Sequence, residues 1–259
     1  MDDSKDRWNP EQYERYRDER SQPFFDLMAL VEARPAMRVV DLGCGTGELT
    51  QVLHNTLKAG ETLGLDSSAA MLAKSERLAS SNLRFERRDI AEFAAEGEYD
   101  LVFSNAALHW LEGHEALLAR LTAALRPGGQ IAVQMPANND HPAHLVAVEL
   151  ARQTPFREAM QGYERRWPVL KPEAYAALLY RLGFKKQHVR LQVYGHLLNA
   201  REDVVEWVKG TLLTDYEKRL PAELFGEFMR QYRELLFERL EDARPYFYPF
   251  KRILLWGRL

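Results

Sequence analysis

Three aspartates and three glycines carry the spacing that could do chemistry. Asp41 sits near the end of the apolar run RVVDL, and Gly43, Gly45 and Gly47 follow it in DLGCGTG. Asp66 closes a second apolar run, ETLGLD, and Asp89 a third, LRFERRD. Glycine after a strand lets the backbone turn tightly and approach a ligand closely. An acid ending the second strand is where nucleotide-binding folds hold a ribose hydroxyl. Two phosphate ligands fail the spacing. A triphosphate loop needs Gly-Lys-Ser/Thr after the turn, and Gly47 is followed by Glu48 and Leu49. A dinucleotide turn, Gly-x-Gly-x-x-Gly, needs its third glycine at the position held by Glu48. A carboxylate at position 41 would repel a pyrophosphate and attract a cation.

A ribose plus a cation, without phosphate, describes S-adenosylmethionine. Asp89 could then accept from the adenine amino group, with Ile90 packed on the purine ring. Ser67 lies beside Asp66 in the same set. Cys44 is read as a small spacer within the turn and not as a nucleophile. Strand-end acids also serve as helix N-caps, so each of these residues has a purely structural alternative.

These residues need a scaffold that brings strand ends together. Strand-like and helix-like patterns alternate from residue 37 to about 136, as in a doubly wound α/β sheet. MRVVDLG, ETLGLDSS, LRFERRDI, YDLVFSNAAL and QIAVQMP read as strands. GELTQVLHNTLK, SAAMLAKSERLA and HEALLARLTAAL read as helices, with Ser67 or Ser68 capping the second. Residues 10–33 read as helical, interrupted at Pro23. Beyond residue 136 the rhythm changes. Residues 142–162 and 200–244 are mainly helical, PEAYAALLYRLGF is a helix closed by Gly183, and KQHVRLQVYGHLL and PFKRILLWGRL are strands. The expected fold is a Rossmann-like seven-stranded sheet with a helical cap. Its segments are an N-terminal helical piece (1–34), the α/β core (35–136), a cap segment (137–166), a helix and strand completing the sheet (167–199), a cap insertion (200–245) and a final strand (246–259).

The chain has 259 residues, 46% hydrophobic and 28% charged, with net charge −3. That balance suits a globular protein and gives no basic excess for nucleic acid. One cysteine excludes an internal disulfide. No apolar run approaches the ~20 residues of a membrane span, and the polar first residues do not read as a signal peptide. The expectation is a cytoplasmic protein, monomer or weak dimer, with no nucleic-acid or membrane partner and no metal.

The run Val40–Gly47, with Asp66 and Asp89 at later strand ends, resembles the class I S-adenosylmethionine-dependent methyltransferases over residues 35–136. The resemblance implies that the Asp41–Gly47 turn holds the methionine part, Asp66 the ribose and Asp89-Ile90 the adenine, with Met71 over the other adenine face. A second resemblance spans nearly the whole chain. Arg7-Trp8-Asn9-Pro10 with Tyr13, Glu19-Arg20-Ser21-x-Pro23, Asn105-Ala-x-Leu108-x-Trp110-Leu111, Val133-Gln134-Met135-Pro136-x-Asn138 and Pro249-Phe250-Lys251-Arg252 are similar to the trans-aconitate 2-methyltransferase family. That resemblance implies an N-terminal segment over the cofactor's methionine end, with Trp8, Tyr13 and Arg20 in contact with it. It adds Asn105 to the cofactor set and Gln134 and Asn138 to the acceptor set.

The implied acceptor is a small polycarboxylate. A carboxylate has a pKa near ~4 and is already ionised at pH 7, so no general base is required. The site must instead align oxygen, methyl carbon and sulfur and pair the other carboxylates with cations, for which arginine is suited. Arg165 and Arg166, beside Trp167 in the cap, are the preferred clamp; Arg20, Lys209, Lys251 and Arg252 are further candidates. His109 could donate to the acceptor carboxylate and Trp110 could wall the pocket; a framework histidine and a core tryptophan are equally compatible roles. The strand end Asn105-Ala106-Ala107-Leu108 lacks the Pro-Pro-aromatic sequence of enzymes methylating base amines. Methylation of another small molecule, and S-adenosylmethionine binding without turnover, remain open at this point.

Overall fold

The computed structural model describes the backbone of residues 17–259 and the side chains from Ser21 onward. Trp8, Tyr13 and the side chain of Arg20 lie outside the described residues. Contacts divide the chain into two units. One, the core unit, comprises Arg20–Pro136, Pro168–Gln192 and Arg252–Leu259; the other, the cap unit, includes Ala137–Trp167 and Val193–Lys251.

The core unit is built on β1 (Arg38–Leu42), β2 (Glu61–Asp66), β3 (Leu83–Arg87), β4 (Tyr99–Asn105) and β5 (Leu125–Pro136). β6 (Lys186–Leu198) and β7 (Tyr246–Arg258) complete a seven-stranded sheet of order β3-β2-β1-β4-β5-β7-β6. The first five strands pair in parallel, and β7 runs antiparallel to β5. Consecutive residues such as Val39-Val40, Leu101–Phe103 and Ile131–Val133 have no exposure. A strand buried on both sides is expected where helices cover both faces of a parallel sheet.

The helices follow from spacing. α2 (Glu48–Leu57) buries Thr50, Leu53, His54 and Leu57, the stripe of a 3.6-residue period. α3 (Ala69–Ser75) starts at Ser68, whose hydroxyl accepts from the Met71 N–H at 3.3 Å. α4 (His114–Ala123) and α7 (Pro172–Arg181) each bury one side as well. α1 (Arg17–Met28) corrects one expectation: Pro23 lies inside the helix and does not end it. Burial of Phe24 and Leu27, with Phe24 edge-on to Phe103 at 5.2 Å, offsets the hydrogen bond that proline removes. Past α1, the Gln130 amide exchanges two 2.8 Å hydrogen bonds with the Glu32 backbone and accepts from Trp256 Nε1 at 2.9 Å.

The cap unit has its own hydrophobic core. It combines α5 (Pro142–Ala151), α6 (Phe156–Ala159), α8 (Asp203–Val208), a π-helical turn (Lys209–Leu213), α9 (Thr214–Glu217) and α10 (Ala222–Arg239). Phe228 stands at its centre, stacked on Tyr216 at 5.1 Å and edge-on to Phe156 at 5.2 Å. Tyr232 ties α10 to α5 through a 2.9 Å bond to the Ala143 carbonyl. Among the described residues, no helix is long and apolar enough to cross a membrane.

Candidate functional site

The sheet order reverses between β1 and β4, and an open α/β sheet offers its crevice at that switch point, beyond the strand ends. The Gly43–Gly47 turn leaves β1 there. The N–H groups of Gly43 and Cys44 both donate to the Leu65 carbonyl, at 2.8 and 2.9 Å, which locks the turn onto β2. All three glycines have positive φ, and two could be nothing else. A Cβ at position 43 would stand 2.2 Å from the Ala107 Cβ, and one at position 47 would meet Phe85 and Ser75 at 2.7 Å. At position 45 the nearest atom to such a Cβ is the Met71 methyl, 3.6 Å away.

Asp66 is held in place by this turn. Its Oδ2 accepts from the Gly45 N–H and its Oδ1 from the Ser68 N–H, both at 2.9 Å. A carboxylate has about four acceptor positions, so roughly half remain for a diol such as a ribose. Asp89 accepts from the Ala91 N–H at 2.8 Å and thereby caps a short turn that carries Ile90. That bond leaves further acceptor positions on the same carboxylate. Ser67 is exposed next to Asp66, and Ile90 and Met71 are half-buried.

Asp41 is 4% exposed and receives the Thr50 hydroxyl proton at 2.6 Å. Burial raises its pKa from 3.8 to about 7; the Thr50 bond lowers it and the charge of Asp66 raises it further. A nearby cation would favour its ionised form. Burial and the two acids push the Cys44 thiol well up, so it stays protonated and is no nucleophile at neutral pH.

β4 ends at Asn105, and Ala106 and Ala107 follow it. Ala106 takes φ 54°, a left-handed conformation rare for alanine, and donates its N–H to the Gln134 carbonyl at 2.9 Å. Asn105 and Gln134 are register partners on neighbouring strands. The Asn105 Oδ1 and both amide atoms of Gln134 are buried with no hydrogen-bond partner among the described residues. Such atoms are ordinarily satisfied, and their clustering fits a polar ligand at this end of the sheet. His109 and Trp110 follow in a short turn, rings 4.7 Å apart and both half-buried.

That turn hangs on a residue the sequence did not single out. His114 Nε2 reaches the carbonyls of Leu108 and Leu111 at 3.1 and 3.0 Å, and its Nδ1 pairs with the Tyr175 hydroxyl. The Leu170 N–H donates to that hydroxyl at 3.1 Å. Burial lowers the pKa of His114. Its only sequence signal was position, a polar residue at the start of α4.

In the cap unit, Arg165 is bound to Asp215 at 3.0 Å, while Arg166 is exposed. Asn138 uses its amide on the framework, donating to the Tyr248 hydroxyl at 3.2 Å and accepting from the Lys251 N–H at 3.1 Å. Lys251 itself pairs with Asp140, Lys209 pairs with Glu206 at 3.8 Å, and Arg252 is 6% exposed. Among the described residues no group of three His, Cys, Asp or Glu side chains could hold a metal ion.

Comparison with known proteins agrees with this geometry. A family described as a methyltransferase domain matches residues 39–129. The chain is 46% identical to the trans-aconitate 2-methyltransferase of Deinococcus radiodurans, covering 95% of this chain and 96% of the relative. It is 39% identical to that of Variovorax paradoxus, covering 97% and 96%. Its fold matches an S-adenosylmethionine-dependent methyltransferase from Mesorhizobium loti with a TM-score of 0.51 at 22% identity, over 93% of this chain and 98% of that one.

Proposed function

The chain belongs to the trans-aconitate 2-methyltransferase family, and from that premise we propose that it esterifies one carboxylate of trans-aconitate or a close polycarboxylate. It is an S-adenosylmethionine-dependent methyltransferase with a class I fold. The cofactor supplies an electrophilic methyl group and departs as S-adenosylhomocysteine.

The observation that carries the assignment is the Asp66 carboxylate, pinned by the Gly45 and Ser68 N–H groups beside the buried Asp41. In this proposal Asp66, with Ser67 beside it, binds the ribose, and Asp89 and Ile90 bind the adenine with Met71. Asp41 and the glycine turn favour the positively charged methionine end. Asn105 offers its buried Oδ1 to the same end. Trp8, Tyr13 and Arg20 contribute from the N-terminal segment.

The acceptor oxygen arrives ionised, so the protein has no proton to remove. Its work is alignment and exclusion of water, since a hydrated carboxylate is a poor nucleophile. Esterification would remove the acceptor's charge, the methyl group coming from the sulfonium and the sulfur keeping the bonding electron pair. Gln134 supplies buried amide donors for the reacting carboxylate, His109 donates to it, and Trp110 shields it. Within the cap unit, Arg165 is the cation suited to bind a carboxylate.

The test is release of S-adenosylhomocysteine with and without trans-aconitate, with the monomethyl ester identified by mass spectrometry. Cofactor binding without product from trans-aconitate, citrate or tricarballylate would defeat the acceptor assignment.

A further inference from the structure

The cap unit contains a polar cluster whose internal pairing leaves it incomplete. Asp215 on α9 accepts from the Tyr163 hydroxyl at 2.6 Å, from Arg165 Nη1 at 3.0 Å and from Arg219 Nε at 3.2 Å. Arg219 lies over the Tyr163 ring, 3.7 Å from its centroid, and Arg165 over the Trp167 ring at 4.9 Å. Trp167 in turn meets the His144 ring edge-on, 5.0 Å between centroids. The charge of Arg165 is felt at both His144 and the Tyr216 hydroxyl. Among the described residues two guanidinium groups here answer to one carboxylate, so positive charge is in excess.

Three polar atoms of this cluster are buried without a hydrogen-bond partner among the described residues. They are Arg165 Nε, the Tyr216 hydroxyl and His144 Nδ1. Tyr216 is only 1% exposed. Arginine can only donate, and a protonated tyrosine hydroxyl donates readily. Burial keeps that hydroxyl protonated, and burial with the Arg165 charge holds His144 neutral, its pKa near 3. Buried polar atoms are rarely left unpaired. Water could satisfy the hydrogen bonds but would leave the surplus charge uncompensated. A carboxylate answers both needs, as in other guanidinium–carboxylate pairs.

We propose that Arg165, Tyr216 and His144 form a carboxylate-binding site within the cap unit, with Asp215 orienting the guanidinium. This rests on the polycarboxylate assignment above and adds to it Tyr216 and His144. It also separates Arg165, which faces this cluster, from the exposed Arg166. The subsite makes charge the criterion of selection: a ligand whose carboxylate is already esterified or amidated gives Arg165 no anion.

The test uses the full chain loaded with S-adenosylhomocysteine and titrated calorimetrically with trans-aconitate, citrate and tricarballylate. Tyr216→Phe removes one oxygen and keeps the ring on Phe228; His144→Phe keeps a ring against Trp167. Each is expected to weaken trans-aconitate binding about tenfold, the scale of a lost hydrogen bond to a charged group. The KM for trans-aconitate should rise accordingly, with kcat changing less and cofactor affinity least. A framework role alone would lower melting temperature, cofactor affinity and kcat together. Polycarboxylate affinities within about twofold of wild type in both variants would overturn the subsite, as would wild-type protein that binds none of the three acids. Wild-type binding of trans-aconitate without S-adenosylhomocysteine formation in turnover assays would defeat the esterification assignment alone, and the variants would still decide the subsite.

Discussion

Replacing Asp41 with asparagine gives the sharpest test of the electrostatics. The carboxyl is buried, bonded to Thr50, and has a pKa of about 7 against 3.8 for an ordinary aspartate. The folded chain therefore keeps a proton that the unfolded chain releases, so stability falls as pH rises from about 4 to 7 and levels off above. At 1.36 kcal/mol per pH unit, the ionised group costs the folded protein about 4 kcal/mol at pH 8, a large share of a typical domain's stability. Asp41→Asn keeps the shape and the Thr50 bond but removes the charge. Urea unfolding between pH 5 and 8 should show the variant gaining on wild type as pH rises, with the difference shrinking toward pH 4. Buried neutral histidines, among them His141 with a pKa near 4, destabilise both proteins below pH 6.5 and cancel in the comparison. Cofactor titration should show the opposite preference. A cation favours ionised Asp41, so wild-type affinity for S-adenosylmethionine should rise with pH up to about 7, and the variant's should lack this rise. A stability difference that stays constant across the pH range would refute the reasoning.

Three further outcomes are expected. Asp66→Ala should weaken S-adenosylmethionine binding by about 1–3 kcal/mol through lost hydrogen bonds, measured by calorimetry; unchanged affinity removes Asp66 from the site. Gly43→Ala places a Cβ 2.2 Å from the Ala107 Cβ at φ 80°, and should cost at least about 2 kcal/mol in urea unfolding. Adding Ala107→Gly should recover part of that loss, because the clash goes and the backbone strain stays; no recovery would mean the clash is not the cause. His114→Phe frees the carbonyls of Leu108 and Leu111, and should cost about 1–3 kcal/mol and lower kcat more than cofactor affinity. Unchanged kcat would separate the His109–Trp110 turn from catalysis.

Much of the core was legible because its signals are local. Runs such as VVDL and LVFS are short, apolar and strand-length, and each is followed by glycine, serine or asparagine at a turn. The Asp41–Gly47 spacing and the strand-end acids are equally local, each within a few residues of its strand. Pro23 misled because local propensity was overridden by the burial of Phe24 and Leu27. The cap was legible as helices but not as chemistry. Arg165 meets Asp215 across 50 positions, and His114 meets Tyr175 across 61, so no spacing rule links them. Asn138 illustrates the converse: its motif suggested a ligand contact, while its amide is engaged with Tyr248 and Lys251.

The cap unit is assembled from separate stretches, and this limits how the unit can be exchanged between relatives. Tyr232 in the later stretch bonds Ala143 in the earlier one, and Phe156 packs on Phe228. Neither stretch covers its apolar side alone. A chimaera carrying a relative's 193–251 on this chain's 137–167 would combine halves of two different interiors. The two must travel as a pair, or the recipient must be repacked around α5 and α10. Natural drift faces the same coupling, so single changes at the unit's polar residues offer an easier path than wholesale exchange of either segment.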